Sequence, residues 1–272
     1  MVNRDNKVMF FGVINMSTDT VKRRECIMDM LCQEGSVRVD ALSKQFNVSS
    51  VTIRNDLRYL EKKGCALRSY GGAMVNHKFA FDRPLQVKGR MDREIKTRIA
   101  KKAAEFVNDG DSLIIDSGST TAEIVPFLKH HRDLVVMTNA LNIAYELAGF
   151  DSVDVMVLGG HVRKNSYSLY GPAAEQQLSQ YRFDTLFLGV DGFDLEAGIT
   201  TPNSGEAHLN RVMCDVAHQI IAVADGTKFG RKSFCLIREA RLIHRLITDS
   251  RIPLHYRQAL TAFGVEVIVV DE

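Results

Sequence analysis

The 272-residue chain is short of the features that would place it in a membrane, around a metal or across a disulfide. No apolar run reaches the ~18 residues that a bilayer span needs. "VMFFGVI", near the N-terminus, is short and no small-residue cleavage site follows it, so it does not read as a signal peptide. The five cysteines, Cys26, Cys32, Cys65, Cys214 and Cys235, are odd in number, scattered, and form no C-x-x-C pair. That usage fits reduced thiols in a cytoplasm. The eight histidines show no metal-ligand spacing, and neither metal nor cofactor is expected. Net charge is also scarce, at +2.

What is there is unevenly placed. From Thr20 to Lys78 there are 11 Lys+Arg against 6 Asp+Glu, whereas residues 79–272 carry 22 against 25. A small basic N-terminal domain on a slightly acidic larger one points to nucleic acid at the N-terminal end. The length suits two domains, each able to bury a core. Residues 1–19 show no cap and no period and are expected to be a disordered tail, with Met16 a candidate initiator.

Residues 20–74 read as three helices and a wing. Helix one, about Lys22 to Glu34, stacks Ile27, Met30 and Leu31 and ends at Gly35. Helix two, about Val39 to Phe46, turns Leu42 and Phe46 inward. "NVSS" makes a tight turn in which Ser49 or Ser50 caps helix three. There Ile53, Leu57 and Leu60 share the inner face, while Val51, Asn55, Arg58 and Lys62, flanked by Thr52 and Arg54, lie opposite. Gly64 ends the helix, and "CALRSYGGAM" turns at Gly71-Gly72 as a two-stranded wing. This is a helix-turn-helix whose outer face suits the major groove: Arg54 and Asn55 can read base edges, while Ser49, Ser50, Thr52 and Lys62 hold phosphates. The alternative is a helical bundle with a solvated charged face. Asp56 lies beside the apolar face and is expected to partner a nearby arginine.

"RRECIMDMLCQEGSVRVDALSKQFNVSSVTIRNDLRYLEKKG" followed by "RSYGGA" resembles the winged helix of the DeoR family of bacterial sugar-catabolism repressors. The resemblance rests on Arg23, Ile27 and Leu31 and on Ser49, Thr52, Ile53, Arg54, Asp56 and Leu57, and it continues to the C-terminus. "GGHVRKNSYSLYGPAAEQQL" and "FDTLFLGVDGFDLEAGITT" resemble most the N-acetylgalactosamine-utilisation repressors of that family. The resemblance implies an operator-binding repressor, a homo-oligomer (dimer or tetramer), released by a phosphorylated sugar. It also implies a C-terminal domain similar to ribose-5-phosphate isomerase and glucosamine-6-phosphate deaminase.

Residues 75–93, with Pro84, many charges and no steady period, read as a linker, and 94–272 as the sensing domain. Apolar runs, "SLIID", "LVVMTN", "VDVMVLGG", "TLFLGV", "QIIAVAD", "RLITD" and "VEVIVV", alternate with helical stretches. That alternation means an α/β domain with a parallel sheet covered by helices on both faces. Ligands of such sheets sit outside the carboxyl ends of the strands, where polar residues gather. "DSLIIDSGSTTAEI" carries the clearest signal. Backbone N–H groups and hydroxyls of Ser117, Gly118, Ser119, Thr120 and Thr121, at a helix start that Pro126 shortens, would cradle a phosphate. Lys228 and Arg163 are candidate counter-charges. Asp116, Thr138, Asn139, Gly160, Asp191 and Glu206 are expected to line the same site, where Asp116, Asn139, Asp191 and Glu206 would meet sugar hydroxyls. A competing reading makes the domain a sugar-phosphate isomerase or deaminase with Glu206 or Asp191 as base. The fused winged helix argues against it.

Overall fold

Residues 20–62, 65–76 and 84–270 are described by the computed structural model. The expected tail over 1–19 and the helix stop at Gly64 lie outside them. The chain divides into two units, Met1–Asn76 and His77–Glu272.

In the first unit α1 (Thr20–Glu34), β1 (Ser36–Arg38), α2 (Val39–Phe46), α3 (Ser50–Lys62), β2 (Ala66–Ser69) and β3 (Gly72–Val75) follow in order. The apolar spacing of the helices closes one core of Ile27, Leu31, Leu42, Ile53, Leu57 and Leu60, each fully buried. Ser49 is the cap of α3, its Oγ accepting the Thr52 N–H at 3.1 Å. The wing is three-stranded, in the order β1-β3-β2. The added strand explains Gly72, where a Cβ would stand 2.0 Å from the Val37 carbonyl oxygen. Asp56 is buried and binds Arg23 Nε at 2.7 Å and Arg24 Nε at 2.8 Å.

The second unit begins with α4 (Leu85–Arg90) and α5 (Arg93–Ala104). A helix over 85–90 corrects the reading of 75–93 as linker, as does Val75, which closes β3. Next come β4 (Ser112–Ile115), α6 (Val125–Leu128), β5 (Leu134–Thr138), α7 (Leu141–Leu147) and β6 (Val153–Val157). The hairpin β7 (His161–Arg163) and β8 (Ser168–Tyr170) leads to α8 (Pro172–Leu178) and β9 (Phe183–Gly189). After β10 (Gly192–Asp194), β11 (Gly198–Thr201) and α9 (Ser204–Val216) the chain returns to the sheet at β12 (Ala217–Val223). It ends with β13 (Cys235–Arg238), β14 (Arg245–Thr248), α10 (Leu254–Ala262) and β15 (Glu266–Val269).

The seven expected apolar runs form one parallel sheet, ordered β15-β14-β12-β9-β4-β5-β6. Ile99, Ile124, Leu128, Ile143 and Leu147 pack on one face; Leu178, Leu209, Met213, Tyr256 and Leu260 pack on the other. From β4 the chain winds outward through β5 and β6, then returns to the other side of β4 as β9 and winds the opposite way. The strand order therefore reverses between β4 and β9, and a crevice opens beyond their carboxyl ends.

Candidate functional site

On the first unit the outer face of α3 stands clear of the core. Val51 is 61% exposed, and Arg54, Asn55, Arg58 and Lys62 are exposed. Local bonds orient them: Arg54 Nη1 donates to Ser50 Oγ at 3.1 Å, and Arg58 Nη1 to Asn55 Oδ1 at 3.0 Å. Ser49 and Thr52 share a 2.9 Å hydroxyl contact at the helix start. The result is an exposed polar stripe that is cationic along its length.

On the second unit the crevice between β4 and β9 holds a polar cavity, at the place where ligands of such sheets bind. Of the residues expected there, Asp116, Ser117, Gly118, Ser119, Thr120, Arg163, Asp191, Glu206 and Lys228 line it. Among the described residues no acceptor engages the backbone N–H groups of Gly118, Ser119 or Thr120. The helix after them is short, a 3-10 turn at Ala122–Ile124 running into the four-residue α6 with Pro126 in its first turn. A helix of that length supplies little dipole. Attraction for an anion rests on the N–H groups, the hydroxyls and the nearby cations.

Four residues expected in the site stand elsewhere. Thr138 and Asn139 are fully buried and brace the loop from behind. Thr138 Oγ1 donates to the Ile115 carbonyl at 2.7 Å, and Asn139 Oδ1 accepts the Ser117 N–H at 3.0 Å. Thr121 is buried and donates to the Gly118 carbonyl at 3.1 Å. Gly160 answers a close approach of backbone: a Cβ there would lie 2.5 Å from the Tyr170 carbonyl oxygen, and φ is +123°.

The charges of the cavity are paired. Glu206 Oε1 accepts from Arg163 Nη1 at 3.1 Å, Ser166 Oγ at 2.7 Å and Ser168 Oγ at 2.8 Å. Its backbone N–H is capped by Asn203 at 3.0 Å. Asp191 meets Lys88 Nζ at 2.6 Å and Thr201 Oγ1 at 3.2 Å. Burial pushes the Asp191 carboxyl up, but the Lys88, Lys228 and Arg163 charges overcome it and hold it below the usual range. Lys228 Nζ lies 3.9 Å from Asp225, whose carboxylate also caps the turn at Thr227. Asp116 is the opposite case, pushed well up by burial and by the Glu206 charge.

Gly189 and Val190, at the end of β9, also line the cavity, and sequence reasoning missed Leu85, Lys88, Ser166, Thr201, Asn210 and Ile237. Asn210 had a readable signal, since it lies one turn beyond Glu206 on α9. Lys88 had none, because a six-residue helix is too short to show a period. Among the described residues no group of acidic, histidine or cysteine side chains is placed to hold a metal, and no helix is long and apolar enough to cross a membrane.

A winged helix-turn-helix joined in one chain to an α/β unit with a polar cavity at its switch point defines a ligand-responsive DNA-binding regulator. Comparisons with known proteins are specific. The family profile described as "DeoR-like helix-turn-helix domain" matches residues 23–79, and "DeoR C terminal sensor domain" matches residues 91–250. The chain is 45% identical over 257 residues to a "Putative aga operon transcriptional repressor" of Escherichia coli O157:H7, covering 94% of this chain and 96% of that one. It is 33% identical to the HTH-type transcriptional regulator GlpR of Haloferax volcanii, covering 91% and 96%. It is 29% identical to the glycerol-3-phosphate regulon repressor of Escherichia coli K12, covering 90% and 97%. Ribose 5-phosphate isomerase A of Methanocaldococcus jannaschii overlaps 51% of this chain and 55% of its own, with 15% identity and a TM-score of 0.38. The chain belongs to the DeoR family of transcriptional regulators. It is a regulator and not an enzyme.

Proposed function

We propose that the protein works in the cytoplasm as a repressor of a sugar or amino-sugar catabolic operon, leaving its operator when a phosphorylated sugar fills the cavity of the second unit. The observation that carries this reading is the loop Ser117–Thr120. The backbone N–H groups of Gly118, Ser119 and Thr120 are open beside Lys88, Arg163 and Lys228, at the switch point of the sheet. Open N–H groups flanked by cations suit a phosphate dianion. Asp116, Asn210 and Glu206, which line the same cavity, suit hydroxyl or amino groups. The names of the relatives, repressors of aga and glycerol-3-phosphate genes, support a phosphorylated carbohydrate as effector.

On DNA, Ser49, Ser50, Thr52 and Lys62 would meet phosphates, and Val51, Arg54, Asn55 and Arg58 would face bases. One such module buries little interface, so a dimer or tetramer would bring two modules to half-sites ~34 Å apart, or multiples of that.

The test is a thermal-shift screen of phosphorylated sugars followed by DNA binding. A true effector at 100 times its Kd stabilises the protein by about 2.7 kcal/mol. It should also release the DNA upstream of the regulated genes, while the unphosphorylated sugar does not. Stabilisation by a sugar phosphate with no release of DNA would remove the induction half of the proposal. Multiple turnover of that compound would revive the isomerase reading.

A further inference from the structure

The helix α4 is an unusual wall for a binding cavity. It has no buried residue, so it is not held by a core. Polar interactions hold it instead. The Leu85 N–H donates to the Asn165 carbonyl at 2.8 Å, and Gln86 meets the Tyr167 hydroxyl. Lys96 Nζ, on α5, donates to the carbonyls of Lys88 and Met91. Lys88 Nζ reaches Asp191, beyond the end of β9, at 2.6 Å. Elements that bury so little apolar surface lie at the low-stability end of a structure. Leu85 and Lys88 both line the cavity. In chain order α4 is also the first described element after Asn76, where the winged-helix unit ends.

We propose that Lys88 is the residue through which the cavity reports its occupancy: a phosphate bound at Ser117–Thr120 draws the Lys88 ammonium away from Asp191, and α4 shifts with it. The proposal rests on the reading of the cavity as the effector site. Lysine suits the role, being a point charge on a flexible stem that can change partners without leaving the cavity. A phosphate dianion competes well with a single carboxylate for it. Asp191 remains partnered when Lys88 leaves, because Thr201 already bonds its Oδ2 at 3.2 Å and Lys228 and Arg163 stabilise its charge. The two arrangements therefore differ in who holds Lys88, and an effector that binds one better than the other shifts the balance. Lys96 ties α5 to the carbonyl of Lys88 itself and gives the motion a fixed pivot.

The experiment measures DNA affinity without ligand, so it does not depend on the effector being known. The full-length protein is titrated with a DNA fragment selected by the wild type from a random pool. Lys88→Met and Asp191→Asn should each weaken binding about tenfold or more, with the melting transition of the winged helix unchanged. The reversed pair, Lys88→Asp with Asp191→Lys, should restore binding to within about threefold of wild type. Single variants that bind like wild type would overturn the proposal, and so would a reversed pair no better than the singles. Should the variants unfold, hydrogen exchange on the wild type decides. Saturating inorganic phosphate should speed exchange of the amides over 85–91 and leave those of β4 and β9 unchanged, and unchanged exchange in α4 would overturn it. Failure of the effector reading looks different: no sugar phosphate stabilises the wild type, whatever Lys88 does.

Discussion

Asp116 directly follows β4, with 2% of its surface exposed. Its Oδ2 accepts from the Gly189 N–H at 3.1 Å and from Asn210 Nδ2 at 3.4 Å, while its buried Oδ1 takes no donor among the described residues. Burial first, then the Glu206 charge, pushes its carboxyl well above the usual carboxylate range, and the N–H groups of Gly189 and Ser117 do not offset them. A folded-state pKa above the unfolded one gives stability that is whole at low pH. That stability is lost as pH rises from about 4 through the raised value. The loss runs at about 1.4 kcal/mol per pH unit for one proton. Asp116→Asn keeps the shape without the charge. The variant should therefore melt with the wild type near pH 4 and progressively above it toward pH 7.5, as read from the second unit's transition. A difference that does not grow with pH would mean that the carboxylate is ionised and satisfied. Asp116 and Ser119 were legible in the sequence because a buried strand stops there among small hydroxylated residues. Thr138 and Asn139 end the next strand in the same way, yet their side chains turn back onto Ile115 and Ser117. Side-chain direction at a strand end depends on register and on what packs behind it, and neither can be read from composition.

Helices α1 and α3 are joined by the buried carboxylate of Asp56, which binds both Arg23 and Arg24. Arg24 in turn stacks over Tyr59, 3.9 Å from its ring centre. Removing one partner of a buried ion pair strands the other, at about 3–5 kcal/mol. Asp56→Ala should thus lower the melting transition of the winged helix alone, leave that of the second unit in place, and abolish DNA binding. A single transition that moves as a whole would show the two units to unfold together. The outer face of α3 calls for a different measurement. Arg54→Ala or Asn55→Ala should cost ~1–3 kcal/mol on specific DNA for each base that the side chain reads. Lys62→Ala should lower the salt slope by about one unit on every sequence. An equal weakening on specific and random DNA for Asn55→Ala would end its base-reading role. Elements of this size were legible where they were long or continuously apolar: α1 to α3 and all seven strands of the parallel sheet. The strands β1, β7, β8 and β10 have three residues each and show no alternation to read. The helix α4 buries nothing, so its sequence carries no apolar stripe.

At the scale of the whole chain the question is whether the cavity governs the DNA-binding unit, and the phosphate loop offers the cleanest separation of the two. An effector shifts a regulator only through differential affinity for its DNA-bound and released states, and a shift from mostly bound to mostly released takes several kcal/mol. The phosphate is the group best able to supply this, through charge-assisted bonds from the loop N–H groups and from Lys228. A carboxylate built into the loop would repel it. Ser119→Glu is the better single change, because Ser119 is half-buried whereas Thr120 is 6% exposed and would carry its charge into the interior. Ser119→Glu with Thr120→Glu is the stronger block. Neither residue belongs to the winged-helix unit, which ends at Asn76. The expected phenotype is a super-repressor, with wild-type operator affinity in the absence of ligand and no release when the inducing sugar phosphate is added. Operator affinity measured across a titration of that compound gives both numbers in one experiment. If Ser119→Glu still releases DNA at the wild-type concentration, the loop does not hold the phosphate, and the cations Arg163 and Lys228 become the next residues to change. If it binds DNA poorly even without ligand, the added carboxylate has itself pushed the protein into its released state, and the loop controls DNA binding by charge in the direction opposite to that expected.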